Sequence, residues 1–285
     1  MDRRSFLSDL SRYAFVCAAV PGAWPVARRP RLAGNPFTLG VASGDPTADA
    51  CVIWTRLAPD PLAPLGGMER VRVALGWEVA HDEAFAQVVR LRTMPAVGAA
   101  PPLDFAFASC QHWEQGLYTA LEHMSRERVD LVAFLGDYIY EGVSSTPPVR
   151  THWLREVMGL DDYRGRYAQY RTDPALQAAH ARCPWILTWG DHEVDNNYAG
   201  LAGENAFECE DQMRARRAAG YQAWWENQPV RAPRARSCAS GSWTRVSIGA
   251  TRRAATGAAG SRAGSGRTRR APCWATPRSG GSWTG

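Results

Sequence analysis

Three short apolar runs each end in residues able to bind metal or move protons. Phe105-Ala-Phe-Ala-Ser109 leads into Cys110-Gln111, and Leu131-Val-Ala-Phe-Leu135 leads into Gly136-Asp137-Tyr138-Ile139-Tyr140-Glu141. Trp185-Ile-Leu-Thr-Trp189 leads into Gly190-Asp191-His192-Glu193. Apolar runs of this length are the pattern of buried strands. In open α/β sheets, ligands collect at the carboxyl ends of the strands. The pattern therefore predicts that Cys110, Asp137, Tyr140, Asp191 and His192 share one cleft. A thiol, two carboxylates, a phenol and an imidazole make a metal-binding donor set, not an apolar pocket. Singly, each has a plainer use: a buried core thiol, turn or cap aspartates, a half-buried packing tyrosine. Their order at successive strand ends favours the metal site.

The elements that must position these residues follow from the same string. Between the first two runs, Leu117, Leu121 and Met124 recur at helical spacing, which predicts a helix within 116–128. Further helices are expected over 160–170 and 211–227. Strand and helix alternate, so residues 101–230 read as an α/β layer structure. Earlier, Phe37–Ala42, Ala50–Leu57 and Val71–Val79 are β-branched or aromatic runs broken by Gly44-Asp45-Pro46 and Pro59-Asp60-Pro61. They predict part of a β-sandwich over 35–97. Tyr138, Glu141, Glu193, Asp195, Asn196 and Asn197 read as residues that support the ligand loops. His81, His123 and His180 lie outside the motifs and read as surface residues, and His112 and His152 have no partner evident in the sequence.

Composition narrows the classes. The chain has 285 residues, 45% of them hydrophobic, enough for a core. No apolar run approaches the ~18 residues that span a bilayer, so stable membrane insertion is not expected. All 33 basic residues are Arg, and the net charge is +5. From Pro229 onward there are 11 Arg and no acid, so the first 228 residues carry 22 Arg against 28 acids. The body is thus mildly acidic and no specific nucleic-acid partner is expected. The seven cysteines form no CxxC pair, which argues against a disulfide framework or structural zinc. At the N-terminus, Arg3-Arg4-Ser-Phe-Leu7 precedes a moderately apolar stretch and small residues, and residues 1–30 read as a twin-arginine export signal. That implies the export machinery as a partner and a periplasmic or secreted location.

Gly136-Asp137-x-x-Tyr140 followed by Gly190-Asp191-His192-Glu193 resembles the calcineurin-like metallophosphoesterases. The longer strings 105–112, 135–141 and 189–200, with Phe37-Thr-Leu-Gly-Val-Ala-Ser-Gly-Asp-Pro46 and Val52-Ile-Trp-Thr-Arg-Leu-Ala-Pro59, resemble the alkaline phosphatase D family. The resemblance covers about residues 1–230. It implies a shortened immunoglobulin-like β-domain followed by the first half of a calcineurin-like metallophosphatase α/β sandwich. It also implies an exported phosphatase or phosphodiesterase acting on small phosphate esters through a metal-activated water. Carried over by position, it implies Cys110 and Tyr140 as ligands of Fe3+, Asp137 as a bridge to Ca2+, and Asp191 as a ligand of Ca2+, other divalent ions being alternatives. His192 is then the catalytic residue, which protonates the departing alkoxide or stabilises charge on phosphorus.

The family's metallophosphatase domain continues past residue 230 and supplies further ligands, including a late Asp and His. Residues 231–285 contain no His, Asp or Glu. The alternative reading is therefore a catalytically inactive remnant. After Leu201 there is no Leu, and after Glu226 no acid, while Arg, Gly and Ser accumulate. This composition predicts a gene read out of frame beyond about Arg236, or else an Arg-rich disordered tail.

Overall fold

The computed structural model describes residues 34–69, 73, 75, 89–204 and 209–231, with the backbone of 243–249. The expected signal over 1–30 and most of the expected Val71–Val79 strand lie outside the described residues.

The three apolar runs form parallel neighbours, β3 (Phe105–Ala108), β4 (Leu131–Phe134) and β5 (Trp185–Leu187). Phe105 pairs with Leu131 and Ala133 with Ile186, so all three strands end on one edge. The helices between them are α1 (Thr119–Arg126), α2 (Leu160–Arg171) and α3 (Pro174–Arg182), and α4 (Glu210–Asn227) follows. The helix α3 is absent from the expectations above. Its signal is a capping aspartate followed by proline: Asp173 accepts the backbone N–H groups of Ala175 and Leu176, and Pro174 opens the first turn.

Helix α1 packs on α3, and α2 packs on α4. The core between helices and sheet holds Val132, Phe134, Tyr138, Tyr163, Tyr167, Tyr170 and Trp185. It uses one face of the parallel strands. On the other face Phe105 and Phe107 remain 60% and 69% exposed, beside Ile186 at 43%.

The separate immunoglobulin-like sandwich is not seen among the described residues. Strands β1 (Val41–Gly44) and β2 (Ala50–Arg56) instead join the same sheet, whose order is β3-β4-β5-β1-β2-β6. Gly44 lies parallel to Trp185, and the Asp45 N–H donates to the Trp185 carbonyl at 3.0 Å. Trp54 explains the fusion. It is buried with Leu39, Ala42, Ala58 and Ala168 of α2, and its indole N–H donates to the Glu226 carbonyl at 2.8 Å. A side chain that large, committed to the helical layer, leaves β2 no independent core.

The sixth strand, β6 (Trp243–Gly249), pairs antiparallel with β2 from Ala50↔Gly249 to Arg56↔Trp243. The composition of the tail predicts no packed element there. Thr244, Val246 and Ile248 nevertheless alternate as β-branched residues, a period-2 signal that the Arg- and Gly-rich surroundings mask. Residues 232–242 and 250–285 lie outside the described residues.

Candidate metal centre

The backbone beyond the strand ends is unusual in a way that points at chemistry. Cys110 and Asp137 adopt left-handed conformations, φ 58° and 55°. Such φ values for non-glycine residues cost on the order of 1–3 kcal/mol and persist only where surrounding structure enforces them. Here the enforcement is a continuation of the β3–β4 pairing. The Cys110 N–H donates to the Gly136 carbonyl and the Gln111 N–H to the Asp137 carbonyl, each at 3.2 Å.

Both Gly-Asp pairs are explained by contact between the two loops. Gly136 has φ 103°, and a Cβ there would lie 2.5 Å from Gly190 N and 2.7 Å from the Trp189 carbonyl carbon. A Cβ on Gly190 would overlap the Asp137 carboxylate. Glu193, fully buried, ties the loops together: its carboxylate accepts the backbone N–H groups of Asp137 (3.1 Å), Tyr138 (2.5 Å) and Gly190. Burial pushes the Glu193 carboxyl up to about 7 despite those three donors.

The structure gathers the expected site residues through a chain of neighbours: Asp137 with Asp191 and His192, Cys110 beside Asp137, and Tyr140 beside His192. The ligand atoms of Asp137, Asp191 and His192 lie within 4.8 Å of one another. Cys110 Sγ is 3.3 Å from Asp137 Oδ2, and the Tyr140 ring lies against that of His192 with centroids 4.1 Å apart. The other Asp137 oxygen, Oδ1, is buried without a hydrogen-bond partner among the described residues. A carboxylate set beside a thiol, a second carboxylate and an imidazole is a donor set that fits a cation. Burial, and then the neighbouring Asp137 and Cys110, push the Tyr140 phenol well above its ordinary pKa.

His192 is held by the Glu141 carboxylate, 2.8 Å from its Nδ1. Partial burial opposes protonation, but Glu141, Asp191 and Asp137 outweigh it and raise the His192 pKa. Burial likewise opposes ionisation of Asp191, yet the Asn197 N–H, 2.6 Å from Oδ2, leaves its pKa lowered. Glu141 also accepts the Asn196 N–H at 2.8 Å, and buried Asp195 pairs with Arg216 of α4 at 2.9 Å. The supporting roles read for Glu141, Glu193, Asp195, Asn196 and Asn197 thus have specific partners.

Three histidines differ from their sequence reading or gain partners. His180 is fully buried, its ring 3.7 Å from that of Trp185 and its Nε2 2.9 Å from the Tyr138 hydroxyl. It reads as surface because α3 itself is not evident in the sequence. His112 packs on Tyr140 with centroids 4.3 Å apart, and His152 Nε2 lies 3.1 Å from the Tyr170 hydroxyl. Glu114, Arg166 and Tyr170, which anchor the ligand loops, carry no sequence signal beyond their places in or near helices.

Two family models match the chain. The family model described as PhoD-like phosphatase, N-terminal domain, matches residues 23–107, and that of PhoD-like phosphatase matches 105–253. The second match runs past Arg236, where composition places the break in reading frame, and includes β6. Alkaline phosphatase D of Bacillus subtilis (strain 168) is 44% identical over 283 residues, covering 81% of this chain and 48% of the relative. A solved structure described as that of PhoD aligns with TM-score 0.66 and 45% identity, covering 71% of this chain and 48% of the other. The chain spans about half the length of these relatives. The loops that gather Cys110, Asp137 and Asp191 fall inside the longer match, and by that match this chain belongs to the PhoD-like phosphatase family.

Proposed function

We propose that this chain is a metal-dependent phosphoric ester hydrolase, exported through the twin-arginine route suggested by Arg3 and Arg4. The observation that carries the reading is the gathering of one donor atom each from Asp137, Asp191 and His192 within 4.8 Å, with the Cys110 thiol 3.3 Å from Asp137 Oδ2. Cys110, Asp137 and Tyr140 would hold ferric iron, whose high charge suits thiolate and phenolate, while Asp137 and Asp191 would hold calcium. When bound, the metals neutralise phosphate oxygens and lower the pKa of an attacking water. Glu193 keeps Asp137 and Gly190 in register through backbone hydrogen bonds. Glu141 fixes the His192 ring at Nδ1 and favours its protonated form. The remaining ring nitrogen, Nε2, then carries a proton that it can give to the departing alkoxide oxygen. Small phosphate esters are the substrate class that this open, polar site fits.

The test is hydrolysis of p-nitrophenyl phosphate and bis-p-nitrophenyl phosphate by the full chain supplied with ferric iron and calcium. Turnover that is abolished by chelator and by Asp137→Ala is expected. Equal rates with and without chelator would overturn metal dependence. Metal retention without turnover would mark the inactive-remnant reading.

A further inference from the structure

One face of α2 grips the backbone of Tyr140 from both sides. The Tyr140 N–H donates to the Tyr170 hydroxyl at 3.1 Å, and Arg166 Nη1 donates to the Tyr140 carbonyl. Residues 166 and 170 are one helical turn apart, so both functional groups project from the same side of α2. Arg166 is anchored in turn by its second terminal nitrogen, Nη2, 2.6 Å from the Leu154 carbonyl, and both side chains are fully buried or nearly so.

The Tyr170 hydroxyl does more than accept one bond. It also accepts the Trp113 N–H at 3.1 Å, and Trp113 follows closely on Cys110. With two backbone donors on its oxygen, the hydroxyl proton is free for only one partner, His152 Nε2, at 3.1 Å. That assigns the His152 proton to Nδ1, which faces the Glu114 carboxylate at 3.7 Å. Glu114 accepts the N–H groups of Ser144 (2.6 Å) and His152 (2.8 Å), closing the ring of contacts around both loops. A single oxygen on α2 therefore joins the loop after β3 to the loop after β4.

We infer that Tyr170, with Arg166, is a positioning pair that sets the placement of the Tyr140 phenol relative to the Cys110 thiol. The inference rests on the proposed reading of Tyr140 as a metal ligand. Neither residue touches the site itself; both act through the Tyr140 backbone, and Tyr170 also through that of Trp113. Partners at this remove from a metal typically change affinity ten- to a hundred-fold when altered, about the effect expected here.

The test is titration of the full chain with ferric iron, following visible absorption and the iron retained after dialysis. Tyr140→Phe reports on the ligand reading. Tyr170→Phe and Arg166→Lys report on the positioning pair, and circular dichroism checks that each is folded. Tyr167→Phe is the control, because the Tyr167 hydroxyl on the same helix is buried without a partner among the described residues. The expected result is a phenolate-to-iron band lost in Tyr140→Phe. The band is shifted, with affinity lowered about ten- to a hundred-fold, in Tyr170→Phe or in Arg166→Lys, and unchanged in Tyr167→Phe. A Tyr140-dependent band that is identical in folded Tyr170→Phe and Arg166→Lys would overturn the positioning role alone. A wild-type chain with no Tyr140-dependent band would overturn the ligand reading and the inference together.

Discussion

Asp137 is the residue on which both ligand loops converge. It sits in a left-handed turn, its N–H is claimed by Glu193, one carboxylate oxygen meets Cys110, and the other is unpaired. Gly190 is the neighbour that leaves room for that carboxylate, since a Cβ at 190 would occupy its place. Gly190→Ala is therefore expected to displace Asp137 and weaken metal retention about ten- to a hundred-fold while leaving the circular dichroism unchanged. Equilibrium dialysis of the variant checks this, and wild-type retention would mean that the two loops do not depend on this contact. The residue types gathered here were legible in the sequence because they follow apolar strands. Tyr170 and Arg166 were not, because a buried polar contact to a distant backbone leaves no local pattern.

At the scale of elements, α3 shows what a hidden helix conceals. Its missed cap, Asp173 with Pro174, also hid the burial of His180 between Trp185 and Tyr138. Full burial, and then the charge of Arg171, hold the His180 pKa well below its ordinary 6.5. The native state therefore keeps His180 neutral, whereas the unfolded chain protonates it below about pH 6.5. Stability contributed by this neutral ring is complete above that pH and is lost as pH falls, by about 1.4 kcal/mol per unit. Between pH 7 and 5, the wild type is expected to lose about 2 kcal/mol more than His180→Asn, measured by urea unfolding. Equal losses would show that His180 titrates normally in the folded chain. The strand β6 is the converse case. Its alternating Thr244, Val246 and Ile248 were present in the sequence, but composition averaged over 231–285 outweighed a seven-residue period.

Across the whole molecule, the sheet has two unlike faces. Phe134 is 1% exposed in the core, whereas Phe107 on the neighbouring strand is 69% exposed on the opposite face. Phe134→Ala is expected to cost about 3–5 kcal/mol, and Phe107→Thr to change stability by no more than about 0.5 kcal/mol. Denaturant midpoints of the two variants check the assignment of faces, and a large loss in Phe107→Thr would show that this face is covered in solution. The α/β alternation was legible because apolar runs and helical spacing are local signals. The merging of β1 and β2 into the same sheet was not, because it depends on where Trp54 packs, 172 positions away from its partner Glu226. The central claim is that three strand ends assemble one metal centre around Asp137, and the most direct test is metal content per chain. After loading with ferric iron and calcium and exhaustive dialysis, wild type is predicted to retain metal and folded Asp137→Ala to lose it. Equal metal content in the two proteins would contradict the account.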